Sequence, residues 1–403
     1  MDIVDKPLIE TRFLPYSRQS IDESEIDAVV RVMKSDWLTT GPELGKFETE
    51  FADAVQARHA VACSSGTAAL HIALLALGIG PGDHVVVPSI SFLSTANVVR
   101  HVGAEVVFAD VDPDTGLITP ETLQDALRRS ETAPAAVMVV HMAGQVADMK
   151  AIGDIADAHS LKVVEDSCHA LGGTGQQGEP VGSCRYSDMA TFSLHPVKTI
   201  AAGEGGVVTT NDAELSERLK CFRNNGVIKS GFENTDQALA EDGTVNPWYY
   251  EMPEPGFNYR LSDIHAVIGR MQLKKLNAYV ERRRDLARRY DTLIAGLSPA
   301  VEPKGRVPCG HAFHLYTVAI DFTAAGMDRA HLMHALREMG IGTQVHFIPL
   351  HRQPYYEKRY GKPDLPGADD WYCTVLSLPL FPAMADTDVD RVVDTLKQIL
   401  ARV

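Results

Sequence analysis

The segment HVVVPSISFLSTANVVRHVGAEVVFADV, residues 84–111, decides the fold. A β-branched run, HVVVPS (84–89), gives way to SFLSTANVVRHVG (91–103), with apolar residues at helical spacing, and then to a second run, AEVVFADV (104–111). Strand, helix, strand is a βα unit, and strands apolar on both faces belong in a parallel sheet with helices on each side. The alternation continues downstream. ETLQDALRRS (121–130) and MKAIGDIADAHS (149–160) predict helices, and AAVMVVH (135–141) and LKVVEDS (161–167) predict strands. DMATFSL (188–194) and GGVVTTND (205–212) predict two more strands. The region from about 60 to 210 is therefore expected to be α/β with a mostly parallel sheet.

Outside this region the pattern changes. Residues 227–256 are polar, acidic and rich in Gly and Pro, which predicts a surface excursion. The stretch 261–297 has apolar residues at helical spacing after a Ser-Asp start, predicting one long helix into a C-terminal α+β domain. LYTVAIDF, HLMHALREMG, IGTQVHFI and VDRVVDTLKQIL belong to that domain, with His346 read as lying in a strand. The division expected is a large domain over 1–265 and a smaller one over 266–403, with residues 1–30 placed to pack on the smaller domain.

Composition narrows the function. With 45% hydrophobic and 23% charged residues, the 403-residue chain has ample material for a globular core. A net charge of −15 disfavours a nucleic-acid partner. The six cysteines are scattered, with no C-x-x-C pair, so reduced thiols, no metal and a cytoplasmic location are expected. The opening MDIVDKPLIE has no apolar core for a signal peptide, and no apolar run reaches the ~20 residues that cross a bilayer, so no membrane role is read.

Three segments carry chemistry. In Cys63-Ser64-Ser65-Gly66-Thr67-Ala68-Ala69-Leu70 a small polar loop runs into an apolar helix. Free N–H groups at a helix start suit a phosphate, although an ordinary N-cap looks the same. Asp166 ends the strand LKVVED, where ligands of open α/β sheets gather; it can pair with a protonated pyridine nitrogen, but a capping Asp is the commoner case. Lys198, in SLHPVK before Gly203-Glu204-Gly205-Gly206, sits in a glycine-bounded loop from which its amine can reach a cofactor aldehyde. Phosphate loop, acid and lysine in that order point to pyridoxal-phosphate chemistry. No G-x-G-x-x-G follows the first strand, which disfavours a dinucleotide site.

The ordered motifs SSGTAAL, VVVPSISFLSTANVV, VVEDSCHALGG, FSLHPVKTIAAGEGGVVTTND, PGFNYRLSDIHAVIG and QVHFIPLHRQPYY resemble the DegT/StrS-type nucleotide-sugar aminotransferases from TTGPELGKFE to SLPLFPAM. The resemblance implies the type I pyridoxal-phosphate aminotransferase fold, a homodimer, and pyridoxal 5'-phosphate as cofactor. It implies Lys198 as Schiff-base lysine and proton shuttle, Asp166 as pyridinium partner and His169 as contact to the ring hydroxyl. Gly66, Thr67 and Ser193 would hold the phosphate, Phe92 would stack on the ring, and Asn258 would reach the partner subunit's cofactor. His346 matches a position near substrate.

Dehydratase relatives carry histidine where this chain has Lys198, so transamination is implied. SLHPVKTIAAGEGG and QVHFIPLHRQPYY resemble the 4-aminotransferases of the pseudaminic-acid pathway, with Leu194 departing from the branch's phenylalanine. The expected reaction aminates a UDP-4-keto-6-deoxy-N-acetylhexosamine with L-glutamate for surface polysaccharide or glycan synthesis. The alternatives are 3-amination, another 4-keto sugar as in perosamine synthesis, and a non-catalytic cofactor-binding regulator.

Overall fold

The computed structural model describes residues 13–401. The expectations for MDIVDKPLIE, and for the first part of segment 1–30, fall on or include residues outside that range. The chain runs α1 (Glu23–Met33), α2 (Pro42–Val55), β1 (His59–Cys63), α3 (Gly66–Ala76), β2 (His84–Pro88), α4 (Leu93–His101), β3 (Glu105–Ala109), α5 (Pro120–Arg129), β4 (Ala136–Val140), α6 (Met149–His159), β5 (Lys162–Asp166), β6 (Met189–Ser193), β7 (Gly206–Thr210) and α7 (Ala213–Arg223). After these come α8 (Thr235–Ala238), α9 (Asp263–Leu273), α10 (Leu276–Ile294), β8 (Val301–Lys304), β9 (Tyr316–Ile320), α11 (Arg329–Glu338), α12 (Pro354–Tyr360), α13 (Pro366–Thr374), β10 (Val375–Leu378) and α14 (Asp386–Leu400).

Seven strands form one sheet in the order β1-β7-β6-β5-β4-β2-β3. The pairs from β6 to β3 are parallel, and β7 is antiparallel to both β6 and β1. Val85 and Val87 enter one hydrophobic cluster and Val86 the other, so both faces of the sheet are covered. That double burial is why these strands read as continuous apolar runs.

Register sets the site. Ser193 lies opposite Gly206, and Gly206 opposite Cys63. The carboxyl ends of β1, β5 and β6 therefore open at one edge of the sheet, with the loop after β2 beside them, where open α/β sheets bind ligands. The helices that follow are capped from their own sequence: Ser65 accepts from Ala68 N–H, and Asp148 from Ala151 N–H. Each such cap contributes about 1 kcal/mol.

The second sheet, β10-β9-β8, is antiparallel and packs with α10, α11 and α14 around a separate core that includes Leu14. Leu14 pairs with Ile341, the Leu380 N–H donates to Tyr16 O at 3.0 Å, and Ser17 Oγ donates to Val197 O at 3.0 Å. Residues 14–17 thus form a strap from the small sheet to the Lys198 loop. Helix α1 packs on α9 instead.

Two expectations are corrected. The single helix over 261–297 is two, α9 and α10, parted at Lys274–Lys275. At the break Gln272 Nε2 donates to Glu25 Oε1 and Ser20 O, and Lys275 Nζ bonds the Glu25 carboxylate, so contacts to α1 and the segment before it interrupt the helix. His346 does not lie in a strand: IGTQVHFI is irregular, with isolated bridges at Ile341 and Gln344. Residues 227–256 hold only the short α8 and expose Val245, Trp248, Tyr250 and Met252.

Candidate active site

A cavity of about 830 Å³ opens at the carboxyl edge of the large sheet. Its floor begins with the turn from β1 into α3. The first N–H groups of a helix have no intrahelical partner, so the amides of Gly66 and Thr67 are available to an acceptor. The turn is fixed by close packing: a Cβ on Gly66 would sit 2.7 Å from Ser193 Cβ, and one on Gly206 would sit 2.2 Å from Ser65 O. Glycine at both positions lets the β1 turn, the β6 end and the start of β7 touch, so the Ser193 hydroxyl and the helix start act on the same point.

Asp166 ends β5 and is buried. Thr95, in the first turn of α4, donates to Asp166 Oδ2 at 2.7 Å and contacts Ser91 Oγ at 2.6 Å. Cys168 N–H donates to the other carboxylate oxygen at 3.3 Å. A buried carboxylate held by a hydroxyl and an amide is oriented, and each charge-assisted bond is stronger than a neutral one. Phe92 is the N-cap residue of α4 and stays 55% exposed, its ring on the cavity wall.

Lys198 lines the same cavity. Its backbone N–H donates to His195 O at 2.8 Å, and the strap holds the neighbouring carbonyl of Val197. Burial lowers the pKa of its amine, with Cys168 and Asp166 pulling the other way. A lysine with a lowered pKa spends more of its time as the neutral amine, the form that attacks carbonyls and accepts protons.

Three histidines complete the lining. The His169 and His314 rings pack together in a tilted pair, centroids 4.3 Å apart and planes 36° apart. Burial holds both well below the ordinary imidazole pKa, with the Lys198 charge adding to it. The Nδ1 atoms of both are buried without a partner. His346 Nδ1 lies 2.8 Å from Ser377 Oγ, Trp371 Nε1 donates to its carbonyl at 2.9 Å, and burial pushes its pKa down to about 3. All three are neutral near pH 7 and add no positive charge beside Lys198.

Gly66, Thr67, Phe92, Asp166, His169, Ser193, Lys198 and His346 all line this cavity. Asn258 does not. It is exposed and pairs through its backbone with Asn224. Sequence reading missed Tyr16, Thr95 and His314. Thr95 carried a readable signal, since it follows Phe92 by one helical turn, but Tyr16 and His314 reach the cavity through long-range contacts that no local pattern marks.

Comparison with known proteins places this geometry. Residues 19–397 match the DegT/DnrJ/EryC1/StrS aminotransferase family. The chain is 42% identical over 395 residues to the spore coat polysaccharide biosynthesis protein SpsC of Bacillus subtilis, covering 96% of this chain and 97% of that one. Among solved structures it is similar to Helicobacter pylori PseC, an aminotransferase involved in the biosynthesis of pseudoaminic acid, with TM-score 0.87, 27% identity, and 97% and 100% of the two chains covered. It is similar also to the putative sugar aminotransferase Spr1654 of Streptococcus pneumoniae. The PLP-form gives TM-score 0.83 at 27% identity, with 97% and 99% of the chains covered. The PMP-form gives 0.84 at 27%, covering 96% and 99%.

Proposed function

Since the chain belongs to the DegT/DnrJ/EryC1/StrS aminotransferase family and is a sugar aminotransferase, we propose that it moves an amino group from L-glutamate to a UDP-4-keto-6-deoxy-N-acetylhexosamine, with pyridoxal 5'-phosphate as cofactor. The product is a 4-amino sugar for a surface polysaccharide or glycan. The observation that carries this reading is the meeting of Lys198, Asp166 and the β1–α3 turn in one cavity, in a chain similar to SpsC and PseC.

The lining fits pyridoxal phosphate in its donors and acceptors. The unpartnered buried Nδ1 of His169, the oriented carboxylate of Asp166 and the glycine-dependent cradle beside Ser193 support this fit. Bound there, the cofactor supplies an aldehyde that exchanges amines and a cationic ring that draws electrons from the reacting carbon.

The chain's residues do the rest. Gly66, Thr67 and Ser193 hold the phosphate with amide and hydroxyl donors. Asp166, oriented by Thr95, would keep a proton on the ring nitrogen, and His169 would bond the ring hydroxyl. Phe92 would cover the ring and exclude water from it. Lys198 Nζ, its pKa lowered by burial, takes the α-proton of glutamate and later delivers a proton to C4 of the sugar. His346 faces the acceptor. Asn258 serves the cofactor of a second subunit in a homodimer, so each site draws on two chains.

The test is an absorbance spectrum of purified protein before and after L-glutamate, followed by assay with UDP-4-keto and UDP-3-keto sugars. Loss of the visible band on adding glutamate, and an amine at C4 of the product by NMR, support the proposal. Turnover of a 3-keto sugar alone overturns the regiochemistry. A bound cofactor that never responds to glutamate overturns the donor.

A further inference from the structure

His314 is not explained by the roles above, yet it is 2% exposed, lines the cavity and has an unpartnered Nδ1. The chain invests in placing it. Phe313, just before it, adopts a left-handed backbone with φ 49°, uncommon for a bulky residue. Its N–H donates to His311 Nδ1 at 2.9 Å, and the His311 and Phe313 rings stack at 3.8 Å. Gly144 makes room, since a Cβ there would lie 2.9 Å from both Phe313 N and His314 N, and from His169 O.

Behind this turn lies Arg283 of α10, 0% exposed, with no carboxylate partner among the described residues. Its Nη1 donates to Phe313 O at 3.2 Å, His314 O at 3.1 Å and Leu380 O at 2.9 Å. Burial lowers its pKa to about 10, so it stays charged near neutrality. A buried guanidinium bonded only to carbonyls, with its Nε left unpartnered, is costly, and here it pins the two residues of the turn to the chain beyond β10.

We propose that His314 is a positioning residue that packs ring to ring on His169 and fixes its ring against the cofactor, and that Arg283 aims His314 by clamping its backbone. The inference rests on the pyridoxal-phosphate reading. The charged or titratable groups facing His314 are His169, His346 and Lys198 across the cavity and Arg283 behind it. None but His169 lies in ring contact with it.

The experiment measures the dissociation constant of pyridoxal phosphate by equilibrium dialysis, and the pH midpoint of the bound cofactor's absorbance. It compares His314→Ala, His314→Phe and Arg283→Lys with the parent, and repeats His314→Ala in a His169→Ala background. Losing an aromatic pair weakens binding about 3–10-fold, so His314→Ala is expected to do so and to move the midpoint. His314→Phe, which keeps a ring to stack, stays near the parent. Arg283→Lys, too compact to span three carbonyls, moves both readouts in the direction of His314→Ala. With His169 removed, His314→Ala adds nothing further. Equal effects of His314→Ala in both backgrounds, or a midpoint it leaves unmoved, overturn the inference, even if Arg283→Lys fails to fold. A parent protein that binds no pyridoxal phosphate overturns the proposed function as well.

Discussion

Gly66→Ala separates a local from a tertiary account of the phosphate turn. Gly66 is the first residue of α3, and on helix propensity alone alanine stabilises by up to about 1 kcal/mol. The tertiary contact predicts the opposite sign. The new Cβ would lie 2.7 Å from Ser193 Cβ, 3.1 Å from its Oγ and 3.3 Å from its Cα. Carbon pairs rest about 3.5–4.0 Å apart, so the turn must retreat by roughly an ångström. Strand β6 cannot yield, because it is paired on both sides, to β5 and to β7. The movement therefore falls on the helix start and carries the amides of Gly66 and Thr67 away from Ser193. Overpacking of this kind costs about 1–3 kcal/mol, which in binding terms is roughly 5-fold to 150-fold weaker pyridoxal phosphate. The assay is the cofactor dissociation constant of Gly66→Ala, measured in the parent and in a Ser193→Gly background. Ser193→Gly removes the two closest atoms, so the Gly66→Ala penalty should shrink there by about 1 kcal/mol or more. A penalty equal in both backgrounds, or tighter binding by Gly66→Ala, refutes the reasoning.

Four further outcomes are expected. Lys198→Ala abolishes turnover and the visible absorbance of bound cofactor; normal turnover by that variant would discard its assignment. Thr95→Val strands a buried carboxylate oxygen at a cost of about 1–3 kcal/mol, which, if expressed in the transition state, is a fall in kcat of about 5-fold to 150-fold with the fold intact by circular dichroism. If the proposed homodimer shares its sites, mixing Lys198→Ala chains with Asn258→Ala chains restores turnover, because one of the two sites in a mixed dimer then receives both native residues; no recovery would overturn the shared site. His169, His314 and His346 all have folded pKa values depressed by burial. Below the unfolded value of about 6.5 the unfolded chain binds protons that the folded chain refuses. Stability therefore falls as pH drops through that value, and for His346 the loss continues to about pH 3. A Tm that stays level from about pH 7 to about pH 5 would contradict this.

Much of this was legible in the sequence because it is local. Strands buried on both faces leave apolar runs, and the turn after β1, the end of β5 and the Lys198 loop each carry their chemistry within a few residues. What stayed hidden is non-local. Thr95 and Asp166 are 71 positions apart, and Arg283 acts on residues 30 to 97 positions away. The division between α9 and α10 was invisible for the same reason: its apolar spacing is unbroken, and the interruption comes from Glu25. His346 looked like a strand residue because VHFI is rich in β-formers, but its backbone serves Trp371 and the cavity rather than a ladder.

The strap of residues 14–17 has a consequence for the order in which the protein is made. The loop bearing Lys198 is fastened by Ser17, whose neighbour Tyr16 is fastened in turn by Leu380. Arg283, which holds His314, is itself bonded to the Leu380 carbonyl. A nascent chain whose seven-stranded sheet is complete on the ribosome still lacks these contacts, so under the pyridoxal-phosphate proposal coenzyme loading is expected only after the C-terminal sheet has formed. The same dependence runs in reverse on heating. Fraying of the C-terminal sheet is expected to loosen the lysine loop and the imidazole wall together, releasing a bound coenzyme before the large sheet melts.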